Sequence, residues 1–216
     1  MGLWKAISTK MFSLQVQNAS KRFHREWIFK NLDLELSAGD TLAITGGNGS
    51  GKSTLLKCLS GAIPVTQGSI EYRGATGILA EESWFRSLAI ATPYLELPEE
   101  FTLNEALTFH FQFKKTLNQL TTQEILAILG LEKHQSKSIS QFSSGMKQRV
   151  KLALAIFSEV PLLFLDEPTT NLDKQGVNWY LELIKRYAKD RILVICSNEP
   201  REYDFCEKKI SLEDFK

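Results

Sequence analysis

Cysteine is scarce in this 216-residue chain, which has only Cys58, Cys196 and Cys206. Three thiols so widely spaced make no disulfide framework, and no C-x-x-C or Cys/His cluster is present to hold zinc. They read as small buried hydrophobes in a reducing compartment. Histidine is as sparse: His24, His110 and His134 form no H-x-x-x-H pair, so they read as surface or hydrogen-bonded residues rather than ligands. Long apolar runs are missing too. Leu162 to Leu165 and Ile192 to Cys196 are strand-sized, far short of the ~20 residues that span a bilayer. Residues 1–10 carry Lys5 and Lys10 but no apolar stretch or cleavage site of a secretory signal. Ala6 stands where a myristoylation motif starting at Gly2 wants Ser or Thr. The expectation is a cytoplasmic chain that reaches a membrane only through another chain. Net charge is nearly absent, with 26 basic residues against 25 acidic ones, so nothing demands a nucleic acid or an anionic membrane as partner.

What is present is ordinary for a globular chain. A hydrophobic fraction of 43% and a charged fraction of 24% exclude a disordered tail, a collagen-like fibre and a coiled coil. The length suits one large domain or one domain with an insert. Met11 is a second possible start ahead of a strand-like run, Phe12 to Val16, so residues 1–10 read as an extension. Leu32 to Leu36 alternates with period two, as a half-buried strand does. Ser37-Ala38-Gly39-Asp40 reads as a turn. Thr41 to Thr45 is a continuous apolar run, as in a strand buried on both faces. Ser53 to Ser60 patterns as a helix stopping at Gly61. Thr102/Glu105 and Thr121/Glu124 fit capping boxes ahead of apolar-periodic runs, and Met146 to Phe157 makes a third helical pattern. Residues from about 96 to 157 therefore read as a mostly helical insert. Strand Leu162 to Leu165, helix Val177 to Lys189 and strand Ile192 to Cys196 follow. Strands alternating with helices predict an α/β fold with a mostly parallel sheet.

Two motifs carry chemistry. Gly46-Gly47-Asn48-Gly49-Ser50-Gly51-Lys52-Ser53, followed by Thr54, matches G-x-x-x-x-G-K-[ST] between a buried strand and a helix. Glycines there let backbone N–H groups turn inward around an anion, and the helix N-terminus adds partial positive charge. Lys52 would reach the β- and γ-phosphates, and the Ser53 hydroxyl would ligate Mg²⁺. The second motif is Asp166-Glu167 at the carboxyl end of a core strand, where ligands bind in open α/β sheets. Asp166 is expected to hold Mg²⁺, and Glu167 to polarise a water for in-line attack on the γ-phosphate.

Across residues 11 to roughly 210 the chain resembles the ATP-binding subunits of ABC transporters. The resemblance rests on five segments in order: the phosphate loop, the signature-like Phe142-Ser143-Ser144-Gly145-Met146-Lys147-Gln148-Arg149, the Walker B strand Leu162 to Pro168, the D-loop Thr170-Asn171-Leu172-Asp173 and the switch-like Cys196-Ser197-Asn198-Glu199. It implies a phosphate-loop NTPase core over about 11–92 and 158–216, with an N-terminal antiparallel β portion and an inserted helical subdomain over about 96–157. It also implies a head-to-tail dimer, here of identical chains, with two ATP molecules between phosphate loop and opposing signature. Ser143 and the Gly145 backbone would then contact the γ-phosphate in trans, Phe23 would stack on adenine, and Asp173 would join the dimer contact.

The pattern departs from the family at three places. The signature has Phe142, Ser144 and Met146 where Leu, Gly and Gln are usual. Pro93 falls at the Q-loop glutamine, so the usual water and Mg²⁺ contact is absent or supplied by a neighbour such as Tyr94 or Glu96. Asn198 falls at the switch histidine; it can hydrogen-bond a phosphate but carries no proton near neutral pH. Measurable but slow hydrolysis is expected, with ATP and Mg²⁺ as ligands. The resemblance further implies a separate transmembrane permease, whose coupling helix would enter a groove formed partly by Pro93 to Thr102. The chain would then sit peripherally on the inner face of the cell membrane, in a small, export-type transporter. Two alternatives remain open: a soluble ABC-type ATPase acting on translation or DNA, and a regulatory ATP switch with weak hydrolysis. Against the first, no basic stripe is present for nucleic acid.

Overall fold

A computed structural model describes residues 11–216; the predicted extension, residues 1–10, lies outside the described residues. The apolar run before the glycine-rich loop forms β3 (Thr41–Thr45), an inner strand of a five-stranded sheet. Its companions are β6 (Leu88–Ala91), β7 (Leu162–Asp166), β8 (Ile192–Cys196) and β9 (Lys208–Ser211). The order is β6-β7-β8-β3-β9 and every pairing is parallel. A second, antiparallel sheet holds β2 (Glu26–Ser37), β1 (Ser13–Phe23), β4 (Gln67–Gly74) and β5 (Gly77–Ile78), in that order. The predicted α/β class with a mostly parallel sheet and an N-terminal antiparallel portion is the observed architecture. β4, β5, β6 and β9 have no counterpart in the pattern reading. Two of them are only four residues long and one is only two, too short for a period to register.

Side-chain alternation explains how the parallel strands are buried on both faces. Leu163, Leu165, Leu193 and Ile195 face one hydrophobic core; Leu162, Phe164, Ile192 and Val194 face another. The second core lies against the antiparallel sheet and α1 (Lys52–Leu59). The first receives α2 (Leu103–Phe113), α3 (Thr122–Leu129), α4 (Ser144–Ile156) and α5 (Lys174–Tyr187). Leu107 of α2 and Leu126 of α3 thus share a core with the sheet.

Both capping boxes are formed. The Glu105 carboxylate accepts from the Thr102 N–H at 2.8 Å, and the Glu124 carboxylate accepts from the Thr121 N–H at 2.8 Å. Gly130 ends α3 in the left-handed region, at φ 66°, as glycine allows at little cost. α4 begins two residues before the apolar pattern does, because Ser143 caps it by accepting from the Met146 N–H at 3.2 Å.

His110 on α2 is hydrogen-bonded, as predicted. The Ser158 hydroxyl donates to the Leu154 carbonyl at 2.6 Å, which leaves its oxygen to accept from His110 Nε2–H at 3.0 Å. Burial, with the Lys114 charge adding to it, pulls the imidazole down from 6.5 to about 4. A base depressed in the fold is protonated first in the unfolded chain. Its contribution is therefore complete above pH 6.5 and is lost as pH falls toward 4. Between pH 7 and pH 5 the loss attributable to His110 is expected to be roughly 2 kcal/mol. Urea unfolding of wild type and His110→Gln at both pH values checks this; equal losses in the two proteins would discharge His110 from the role.

Candidate functional site

The carboxyl ends of β3, β7 and β8 lie level, since Ile44 pairs with Cys196 and Asp166 also pairs with Cys196. The three chemical segments leave the sheet from these ends: the glycine-rich loop after Thr45, Glu167 after Asp166, and Asn198 two residues after Cys196. Separations of more than a hundred residues collapse to hydrogen-bond distance.

Within the loop, the Ser50 N–H donates to the Gly47 carbonyl at 3.0 Å, closing a tight turn. Gly51 has φ 107°, and a Cβ there would lie 2.3 Å from Ile28 Cγ2 of β2, so only glycine fits. Lys52 folds back over the loop; its buried ammonium donates to the carbonyls of Gly46 at 2.6 Å and Gly47 at 3.2 Å. Ser53 and Thr54 occupy the first turn of α1, whose positive end faces the loop. The Ser53 hydroxyl donates to Asp166 Oδ2 at 2.7 Å. Asp166 is 2% exposed. Burial pushes its carboxyl above the usual carboxylate range, and the Ser53 bond draws it back. A hydroxyl beside a carboxylate is an all-oxygen donor set, which suits a hard cation such as Mg²⁺. No cluster of three or more His, Cys, Asp or Glu suited to a metal occurs among the described residues.

A cleft of about 410 Å³ opens beside the loop, lined by Asn48, Glu167, Thr170, Asn171, Ser197 and Asn198 among others. Asn198 Nδ2 donates to Asn48 Oδ1 at 3.3 Å. Glu167 holds φ 45°, in the left-handed region, fixed by its N–H donating to the Cys196 carbonyl at 2.8 Å. Backbone strain of this kind concentrates at functional positions.

Phe23, Ser143, Gly145 and Asp173, all predicted to act at the site, do not line this cleft. Phe23 closes β1 at the hairpin, 46% exposed, with the Lys21 ammonium 4.9 Å from its ring centre; β2 of the same hairpin carries the Ile28 that packs on Gly51. Ser143 and Gly145 open α4 against the D-loop. A Cβ on Gly145 would lie 2.9 Å from the Asn171 carbonyl, so its smallness lets α4 approach that loop. Asp173 caps α5, accepting from the Gly176 N–H at 2.7 Å.

Two contacts were invisible in the sequence. Gln148 of α4, buried, donates to the Pro168 carbonyl at 2.8 Å. Glu202, buried on α6 (Pro200–Tyr203), accepts from the Thr169 N–H at 2.8 Å and from the Thr169 hydroxyl. Together they anchor the segment after Glu167 to the signature helix and to the helix after Asn198. No local pattern signals a partner 20 or 33 residues away.

A glycine-rich loop between a core parallel strand and a helix, its serine bonded to an aspartate at a neighbouring strand end, defines a phosphate-loop nucleotide-binding protein. The chain matches the family described as ABC transporter over residues 29–170. It is 30% identical over 189 residues to the uncharacterized ABC transporter ATP-binding protein YybJ of Bacillus subtilis, covering 88% of this chain and 86% of that protein. It is 32% identical over 183 residues to the cytochrome c biogenesis ATP-binding export protein CcmA of Vibrio cholerae, covering 84% and 88%. The dimeric ATP-binding cassette MJ0796, in a post-hydrolysis state bound to ADP and Pi, superposes with TM-score 0.77 over 92% of this chain and 93% of that one, at 21% identity, a likeness of fold. The chain belongs to the ABC transporter family, as one of its ATP-binding subunits.

Proposed function

We propose that this ATPase subunit works with Mg²⁺, through the residues brought together above, and drives a separate transmembrane permease from its cytoplasmic face. The observation that carries the reading is the Ser53–Asp166 bond at 2.7 Å, which joins phosphate loop and acidic strand end into one oxygen-donor site. Backbone N–H groups between Gly46 and Thr54, other than those of Gly47 and Ser50, which are bonded within the protein, surround the phosphates, and Lys52 exchanges its carbonyl partners for the β- and γ-phosphates. Ser53 and Asp166 hold Mg²⁺, which supplies charge neutralisation across the phosphates when bound. Glu167 takes the proton of the attacking water, and Asn198 donates its amide to the γ-phosphate. Ser143 and Gly145, standing outside the cleft of their own protomer, come from a second copy of the chain in a head-to-tail dimer. Phe23 stacks on adenine from the hairpin. The core over about 11–92 and 158–216 carries this chemistry; the helical part over about 96–157 carries the signature.

The permease would dock in the groove of about 1020 Å³ formed by residues 93–100 with Lys147 and Lys151. Tyr94 is 80% exposed there. Lys151 donates to the Pro93 carbonyl at 2.8 Å, and Lys147 pairs with Glu99, so the groove wall is tied to the signature helix. Among the described residues no helix is long and apolar enough to cross a membrane. An export-type transporter is the proposed setting, in keeping with the name of the Vibrio relative. Purification of the tagged chain in detergent tests it: a multi-span membrane protein should co-elute, whereas ribosomes or DNA would favour a soluble role.

A regulatory switch with weak hydrolysis is the second reading, favoured by Pro93 and Asn198. Asn198→His restores a group that can carry a proton and is expected to raise Mg²⁺-dependent turnover by about tenfold, within the reach of general acid–base effects. No rise in steady-state ATPase assays would show that this position does not limit hydrolysis.

A further inference from the structure

We propose that Glu213 and Lys216 are positioning residues that hold the phosphate loop in its nucleotide-ready shape. β9 pairs with β3 up to Thr45–Ser211, so the short 3₁₀ turn over Leu212–Phe215 emerges directly beside the loop leaving β3 at Gly46. Leu212 is fully buried beneath that loop; a Cβ on Gly46 or Gly51 would lie 3.7 or 3.3 Å from its side chain. Three residues make one turn of 3₁₀ helix, so positions 213 and 216 project on the same side. Glu213 Oε1 accepts from the Gly47 N–H at 3.0 Å, and Lys216 Nζ donates to the Ser50 carbonyl at 2.7 Å. Gly47 and Ser50 are the two ends of the turn closed by the Ser50 N–H on the Gly47 carbonyl. The outer side of one turn is therefore gripped at both ends, by a carboxylate on its N–H and an ammonium on its carbonyl.

The physical consequence follows from the loop's composition. Glycines lose the most conformational freedom on ordering, and a cradle ordered in advance binds its ligand at lower entropic cost. The grip acts on loop shape and touches no reacting atom, so it should alter nucleotide affinity and leave the chemical step alone. The opposite reading, in which the Glu213 carboxylate repels incoming phosphates, predicts the opposite sign.

The proposal rests on residues 46–54 being the nucleotide cradle, and the experiment separates the two. Titration of the full chain with mant-ATP and Mg²⁺ is paired with steady-state ATPase kinetics for wild type, Lys52→Ala, Glu213→Ala, Lys216→Ala, the double variant and Glu213→Gln. Each alanine substitution is expected to weaken mant-ATP binding about threefold and the double variant about tenfold, as charge-assisted bonds at a partly exposed site would. KM should rise in step while kcat stays within about twofold. Glu213→Gln keeps an accepting oxygen and should recover most of the affinity. If Lys52→Ala binds as wild type does, the cradle reading falls and takes this proposal with it. If Lys52→Ala loses binding but the double variant binds equally or more tightly, or loses kcat at constant KM, the grip is not a positioning device.

Discussion

Glu167→Gln is expected to lower ATP turnover by about 100-fold or more, the range spanned by loss of a general base, while mant-ATP binding stays near wild type. Glutamine matches glutamate in size and can occupy the same left-handed backbone position beside Cys196, but its amide cannot take a proton. The base is the group to remove because the two amides beside it and the buried aspartate cannot replace it. Asn48 and Asn198 share the cleft, and neither is a base near neutral pH. Asp166 is buried, already accepts from Ser53 and is the proposed cation ligand. With hydrolysis blocked, the ATP-bound form should accumulate, and gel filtration of Glu167→Gln with ATP and Mg²⁺ should show a species of twice the chain mass. Lys52→Ala gives the contrasting pattern, with binding and turnover lost together. Wild-type turnover in Glu167→Gln would remove Glu167 from the role of base and move the search to Glu199 or Glu202 on the same cleft.

The segments that chemistry dictates were readable from residues alone, and the contacts between distant elements were not. Thr41 to Thr45 announces a doubly buried strand because each face of β3 needs an apolar partner, and the glycines after it have few other uses. Thr102 and Thr121 announce helix starts because their caps are satisfied within four residues. β6 and β9 escape because four residues hold too little pattern, and β9 is half charged, Lys208-Lys209-Ile210-Ser211, at the edge of its sheet. Glu202 reads in sequence as one more surface acid, yet it is buried against Thr169. Glu213 and Lys216 lie more than 160 residues from the turn they grip, brought there by a strand that itself leaves no signal. Local rules set the elements; the parallel sheet, whose neighbours are remote in sequence, sets the partners.

Arg191 is where that non-local order has its largest expected effect on stability. It is 3% exposed, and no carboxylate bonds it among the described residues. Burial draws its guanidinium down to about 10, which leaves it charged at neutral pH. Nη1 donates to the Ser158 carbonyl at 3.1 Å; Nη2 donates to the carbonyls of Ile156 at 2.8 Å and Tyr187 at 2.6 Å, while Nε finds no partner. Ile156 and Tyr187 are the last residues of α4 and α5. One cation therefore closes the negative ends of two helices, satisfying carbonyls that helix termini leave open. Those helices begin at the signature and the D-loop, so Arg191 fixes the far ends of two elements whose near ends form the proposed dimer face. Arg191→Met relieves a buried charge but strands the Ile156 and Tyr187 carbonyls, each costing about 1–3 kcal/mol when unpaired, while the Ser158 carbonyl keeps the Val160 N–H at 3.0 Å. The net loss is expected to be about 3 kcal/mol, lowering a urea midpoint by about 1.5 M for an m-value near 2 kcal/mol/M. Arg191→Lys keeps the charge without the fork that spans both helices and should fall between. If Arg191→Met unfolds within about 0.5 kcal/mol of wild type, desolvation of the guanidinium cancels its three bonds, and the joining of α4 to α5 must come from the apolar core alone.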